Sequence, residues 1–211
     1  MYMPPHFQEE NVPELHAAIR DIAFGTVVSL GADGLIASHV PMLIDPEPAP
    51  FGTLIGHVAR ANPHWQTATP DVDALAMFLG PNAYVTPSWY ATKRETGKVV
   101  PTWNYLAIHA AGRLRFFDDA ERLLGVVTRL TDRHEAQRTD AWAVTDAPAD
   151  YVRGMLRAIV GFELPITRLE GKRKMSQNRP AEDRAGVVDG LAREGGPGEA
   201  VVARMVAEAM R

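Results

Sequence analysis

The chain contains no cysteine. That excludes disulfides and every thiolate metal site, and it fits a reducing compartment. Long apolar runs are also missing: nothing approaches the roughly 18 consecutive apolar residues a membrane-spanning helix needs. No charged-then-apolar leader follows Met1–Tyr2–Met3–Pro4–Pro5–His6, so the expected address is the cytoplasm, with no membrane partner. Phosphate-binding glycine loops of the G-x-x-x-x-G-K-[ST] and G-x-G-x-x-G types are absent, so side chains must hold any nucleotide. G-x-S-x-G is absent too, which argues against an α/β-hydrolase nucleophile. His134–Glu135 lacks the second histidine of a zinc-protease helix and reads as a solvated helix end. Charge of one sign is not in excess: the net value of −4 over 211 residues gives no general surface for nucleic acid.

What is present is enough apolar sequence, 46%, to bury a sizeable core. Val100–Pro101–Thr102–Trp103–Asn104–Tyr105 opens an extended run in which Leu106, Ile108, Ala110, Leu114 and Phe116 fall on one face. Tyr105, His109, Arg113 and Arg115 fall on the other, so one strand carries both an oily side and a side of phenol, imidazole and guanidinium.

Before this strand, Asn11 with Glu14 predicts a helix whose apolar residues are Leu15, Ala18, Ile19 and Ile22, ended by Gly25. Thr26–Leu30, a Gly31–Gly34 turn and Leu35–Ile44 predict a hairpin, with His39 pointing away from the buried face. Thr53–Arg60 predicts a third strand, and Asn62–Pro63–His64–Trp65 a capped turn of helix. Two strands, Asp73–Leu79 and Ala83–Thr86, are expected on either side of a Gly80–Pro81–Asn82 turn, then a basic flexible loop over Ala91–Val99.

After it, Asp118 with Glu121 predicts the cap of an amphipathic helix. A helix near Ala149–Leu156 and a last strand over Ala158–Leu169 follow. The tail reads as a basic segment, Lys172–Arg179, and two helices broken by Gly195–Gly196–Pro197–Gly198. Six or seven strands with helices concentrated after them predict a mainly β (α+β) fold: a small barrel over 1–170, with 171–211 as a basic segment and helical tail packed on it or on a partner.

Three places carry candidate chemistry. Lys172–Arg179 mixes cations suited to a phosphate with the hydroxyl of Ser176 and the amide of Gln177, which suit a polar ring edge; a solvated linker is the alternative. Arg60, Asn62 and Trp65 form a polar-aromatic knot, either a structural turn or a ligand contact. His39, His57 and His109 each lie on an expected strand, where they are either separate hydrogen-bonded groups or a haem or metal set; no local ligand spacing supports the latter.

Several motifs occur in one order: Met1–Tyr2–Met3–Pro4, Ser38–His39–Val40–Pro41, Gly56–His57–Val58–Ala59–Arg60–Ala61–Asn62–Pro63–His64–Trp65, Gly80–Pro81–Asn82–Ala83–Tyr84, Ser88–Trp89–Tyr90, Val100–Tyr105 and Lys174–Met175–Ser176–Gln177–Asn178–Arg179. Together they resemble the PaiB family, described as FMN-binding negative transcriptional regulators. The resemblance implies an FMN-binding split β-barrel similar to pyridoxamine phosphate oxidase, paired as a homodimer with FMN in the shared cleft. It further implies a repressor, acting through DNA or a partner protein. On that reading Arg60, Lys174 and Arg179 take the phosphate, and Thr102, Asn104 and His39 make polar contacts. Trp103 and Tyr105 wall the ring, while Asn62, Lys93, Ser176 and Gln177 complete the cofactor set. Met175 departs from the family's usual leucine, a swap that conserves volume. Two alternatives stand beside the regulator: an FMN-dependent oxidoreductase of a small molecule, and a haem- or metal-binding split-barrel protein. No residue looks like an obligatory acid or base, and the two tail helices do not read as a helix-turn-helix.

Overall fold

Extended segments alternate with short helices in a computed structural model that describes residues 1–210. In chain order they are β1 (Gln8–Glu9), α1 (Val12–Ile22), β2 (Phe24–Gly31), β3 (Gly34–Asp45), β4 (Thr53–Ala59), α2 (His64–Thr67), β5 (Asp73–Val85) and α3 (Ala91–Thr96). There follow β6 (Thr102–Arg113), β7 (Arg115–Phe117), α4 (Ala120–Glu135), α5 (Ala149–Leu156), β8 (Ile159–Lys174), α6 (Ala181–Glu194) and α7 (Pro197–Glu208). The strands form an eight-stranded sheet in the order β1-β8-β4-β3-β2-β5-β6, with β7 on β8 and a further β8–β6 pairing that returns the path on itself. That closed circuit of pairings, with flanking helices, is the connectivity of the expected split-barrel class.

The chain divides into two compact units. One comprises Val12–Phe78 and His109–Leu169, the other Met1–Asn11, Leu79–Ile108 and Glu170–Arg211, so the tail groups with the N-terminus and the segment between β5 and β6.

In the first unit the period-2 pattern works as expected. Ser38, Val40, Met42 and Ile44 of β3 are buried and His39 is exposed. The β2–β3 register sets Thr26 opposite His39, and the two side chains bond at 2.8 Å. Leu54, Phe162 and Leu164 are fully or almost fully buried, each contributing about 1.5–3 kcal/mol. Val126 and Leu130 of α4 cover Leu43, with Ile55 and Phe117 at the margin.

Two helix boundaries differ from expectation. The terminator of α1 is Ala23, in the left-handed region at φ 56°, not Gly25. The strain is tolerated because both its backbone groups are bonded, the amide to Ile19 O and the carbonyl to Met42 N, each at 2.8 Å. Gly25 serves packing instead: a Cβ there would come within 2.7–2.9 Å of Met42, Met77 O and Phe78. The cap of α4 is Asp119, which accepts from Arg122 N at 2.8 Å. Asp118 faces the Arg60 guanidinium at 3.9 Å.

In the second unit three elements differ. The expected Gly80–Pro81–Asn82 turn is absorbed into one 13-residue strand, β5. Proline is compatible with extended backbone, and Asn82 Nδ2 bonds Gly80 O at 3.1 Å within the strand. The expected loop over Ala91–Val99 contains α3, whose start is capped from far along the chain. Asp183 of α6, fully buried, accepts from Thr92 N and Thr92 Oγ1, both at 2.9 Å. Finally β8 runs five residues past its expected end at Leu169, so Lys172–Lys174 is strand, and Gly171 and Lys172 pair with Glu9 and Gln8 of β1.

Candidate functional site

The second unit gathers most of the expected cofactor residues. The start of β6 and the end of β8 place Thr102, Trp103 and Tyr105 beside Lys172 and Lys174. Lys174 Nζ donates to Thr102 Oγ1, and to Trp103 O at 2.6 Å. It also lies 5.9 Å from the Phe7 ring and 6.0 Å from that of Tyr105. Lys172, buried, donates to Tyr2 O at 3.0 Å and sits 5.5 Å from the same Tyr105 ring. Two ammonium groups thus share one aromatic face. Trp103 is 53% exposed and meets Tyr84 edge-on at 5.9 Å, so its ring remains an open platform.

Past β8 the chain turns sharply. Ser176 is buried and adopts φ 62°, a backbone state that costs a non-glycine residue about 1–3 kcal/mol. Asn104, wholly buried on β6, fixes it through Asn104 Nδ2 to Ser176 Oγ at 2.9 Å, with a longer contact between Oγ and Oδ1 at 3.2 Å. Gln177 closes the same turn, accepting from Met175 N and donating to Arg173 O. These three polar side chains are therefore spent on shaping the turn that delivers Arg179.

Arg179 stacks its guanidinium 4.6 Å from the ring centroid of Tyr90. Tyr90 is 1% exposed, and its buried hydroxyl has no hydrogen-bond partner. Burial raises that phenol's pKa, Asp183 adds to the rise, and Arg179 opposes it.

The support beneath Tyr90 comes from α6. Asp183, Gly186 and Gly190 lie on one helical face, and a Cβ at Gly186 would stand 2.0 Å from Trp89 O. At Gly190 it would stand 2.2 Å from the Trp89 indole. Glycine is required there because another chain segment occupies the space of a side chain. Sequence reasoning missed Tyr90, Asp183 and this glycine pair. The i, i+3, i+7 spacing of one acid and two glycines was a visible signal without a visible partner. Lys93, on α3, is exposed and donates to Ser88 Oγ at 3.2 Å.

The electrostatics separate this cluster from ordinary surface charge. No carboxylate pairs with Lys172, Lys174 or Arg179 among the described residues, although Arg173 between them pairs with Glu208 at 2.9 Å. The pKa of Lys174 is lowered, first by burial, then by the positive charges of Lys172 and Arg179. Cations that repel one another in a half-buried setting are a donor set short of an anion. With open and half-buried aromatic rings beside them, they fit a flavin phosphate and ring.

His39, Arg60 and Asn62 belong to the other unit. Arg60 donates from Nε to Arg157 O at 2.8 Å and from Nη2 to Ile159 O at 3.1 Å, and its guanidinium lies 5.8 Å from the Trp65 ring. Asn62 accepts from His64 N at 2.9 Å and donates to Ser38 Oγ at 2.9 Å. His64, 1% exposed, joins Ser29 at 2.8 Å and Ser38 at 2.9 Å, and burial lowers its pKa. These contacts make a self-satisfied network. His39, His57 and His109 form no metal site: no group of three or more His, Asp or Glu able to hold a metal occurs among the described residues.

Fold and site together define a split-barrel protein with a flavin cofactor. The chain belongs to the family described as "Putative FMN-binding domain", whose model matches residues 1–168, and within it to the PaiB group. It is 31% identical to "Protease synthase and sporulation protein PAI 2" of Bacillus subtilis over 211 residues, spanning 100% of this chain and 99% of that one. An uncharacterized protein of Aspergillus fumigatus is 34% identical, with 92% of each chain covered. Among solved structures it is similar to the FAD and haem binding protein from Mycobacterium smegmatis, with TM-score 0.58 and 19% identity over 90% of this chain and 80% of that one, a likeness of fold alone. No helix among the described residues is long and apolar enough to cross a membrane.

Proposed function

We propose that the chain is a PaiB-like negative transcriptional regulator that works as a cytoplasmic homodimer and holds FMN at the Lys172–Lys174–Arg179 cluster. The observation that carries the site is that none of three neighbouring cations forms an ion pair with a carboxylate among the described residues. Lys174 and Arg179 neutralise the phosphate, with Lys172 adding field from its buried position. Trp103 and Tyr105 offer ring surface, and Thr102 and Lys93 offer polar contacts. Asn104, Ser176 and Gln177 act through the turn they hold. FMN supplies a two-electron redox centre when bound.

The regulatory part is supported by full-length similarity to the Bacillus subtilis sporulation protein. With a net charge of −4, the DNA or protein partner is met through a local surface.

The purified protein is expected to be yellow and to release FMN on denaturation, identified by mass. Sedimentation is expected to give twice the chain mass, and a gel shift at physiological salt, with and without flavin, reports DNA binding. A colourless protein that takes up no added FMN overturns the cofactor assignment. NAD(P)H-dependent turnover without any gel shift replaces the regulator with the oxidoreductase.

A further inference from the structure

Nucleophilic side chains are scarce in this chain. It has no cysteine, and of its 22 Lys and Arg residues only Lys93, Lys98, Lys172 and Lys174 are lysines. The rest are arginines, whose guanidinium stays protonated. All four lysines fall in the unit of Met1–Asn11, Leu79–Ile108 and Glu170–Arg211, in three different settings. Lys93 and Lys98 are exposed. Lys172 is buried, with its ammonium held by Tyr2 O at 3.0 Å. Lys174 is half-buried at the end of β8.

Three features set Lys174 apart. Two oxygens of β6, Thr102 Oγ1 and Trp103 O, accept from its Nζ. They orient two N–H groups, so in the neutral amine the lone pair is the position left for an electrophile. Burial, then the charges of Lys172 and Arg179, lower its pKa, which enlarges the share of free amine at mildly alkaline pH. Those same cations form no ion pair with a carboxylate among the described residues, so an electrophile that carries a dianion is drawn to them.

We propose that Lys174 is an acylation site, taking an acyl group from a small acyl phosphate whose phosphoryl group faces Arg179 and Lys172. The amine nitrogen bonds the acyl carbon, and the bond from that carbon to the phosphate oxygen breaks. The proton lost by nitrogen ends on the departing phosphate, so no oxidant or reductant takes part. Arg179 meets the charge of the leaving phosphate, and the buried Lys172 adds its field. The product amide is neutral, so the reaction removes one cation from the cluster. Its consequence rests on the reading of that cluster as the FMN seat: the acylated chain holds flavin more weakly.

The test treats the full-length protein, freed of bound flavin, with acetyl phosphate and follows acetylation of each of the four lysines by mass spectrometry. Lys174 is expected to react about tenfold faster than Lys93 and Lys98, with Lys172 slowest. Acetic anhydride, which carries no phosphate, should lose most of that preference. Added inorganic phosphate should slow Lys174 and leave Lys93 and Lys98 unchanged. Arg179→Gln should slow Lys174 about fivefold, with the two exposed lysines as internal controls. Because that variant can fail to fold, the phosphate competition in the wild-type chain gives an independent reading. Equal rates at Lys93, Lys98 and Lys174, an undiminished preference with acetic anhydride, or no slowing by phosphate would each overturn the site. FMN added back should protect Lys174, and Lys174→Gln, which mimics the amide, should bind FMN about tenfold more weakly. Selective acetylation that neither responds to FMN nor weakens it upholds the acylation site and overturns the FMN seat.

Discussion

Arg60 and Arg179 each lie against an aromatic ring, that of Trp65 and that of Tyr90, and each is followed within two residues by Asn or Pro, yet their surroundings differ. Around Arg60 two backbone carbonyls, Asp118 and the Trp65 ring take up the guanidinium. Its unit pairs other cations too: Arg129 with Asp45, Arg122 with Glu163 and Arg113 with Asp73. Around Arg179 there is an aromatic face and the charge of Lys174, and no carboxylate forms an ion pair with it among the described residues. The difference teaches that charge near an aromatic marks structure when it is compensated and marks a ligand when it is not.

The largest effect should come from packing in the compensated unit. Phe162→Ala removes a ring that is 2% exposed and edge-on to Phe116, and should cost about 3–5 kcal/mol in a denaturation midpoint. A cost under about 1 kcal/mol would mean that this core is not tightly packed.

Next comes the charge contrast itself. Arg179→Ala or Lys174→Ala should weaken FMN binding by about 1.5–3 kcal/mol each, with thermal stability unchanged or raised as repulsion is relieved. Arg60→Ala should do the reverse, lowering the melting temperature through two lost charge-assisted bonds. If Arg60→Ala instead releases flavin at full stability, the comparison breaks and Arg60 returns to the cofactor set.

Gly186→Ala sits a step lower. Its Cβ would collide with Trp89 O, so it should cost about 1–3 kcal/mol and, by moving Tyr90 from under Arg179, weaken FMN as well. Loss of stability with unchanged affinity would confine α6 to a scaffold role.

The smallest effects are pH profiles, in which stability rises with pH through two separate windows. Lys174 has a lowered folded-state pKa, so between that value and 10.5 the unfolded chain binds more protons and stability rises with pH. FMN binding should weaken over the same window as Lys174 loses its charge. His57 and His64 also have lowered values, so stability falls as pH drops below 6.5, where the unfolded imidazoles protonate first. His64→Gln should flatten part of the acid limb in melting experiments; an unchanged limb would remove His64 from the account.

Much of this was readable from local pattern. The alternation in β3 and β6, the amphipathic stripe of α4 and the span of α5 follow from side-chain period, which the backbone enforces residue by residue. The basic run was visible as composition, but only the family resemblance joined it to Trp103 and Tyr105, which lie far from it in the chain. The cap of α3 was not, because Asp183 lies 91 residues from Thr92. Nor was the end of α1 at Ala23, since a bond from Met42 makes that conformation tolerable.

Composition and motif order by themselves determined a cysteine-free mainly β chain of the FMN-binding family. Only tertiary structure decided which groups are compensated: Gln177 and Asn104 are held in the turn and Arg60 faces two carbonyls and Asp118, while Lys174 and Arg179 form no ion pair with a carboxylate among the described residues. The reason is that a side chain's chemistry is written in the sequence, but its compensation depends on which distant atoms reach it.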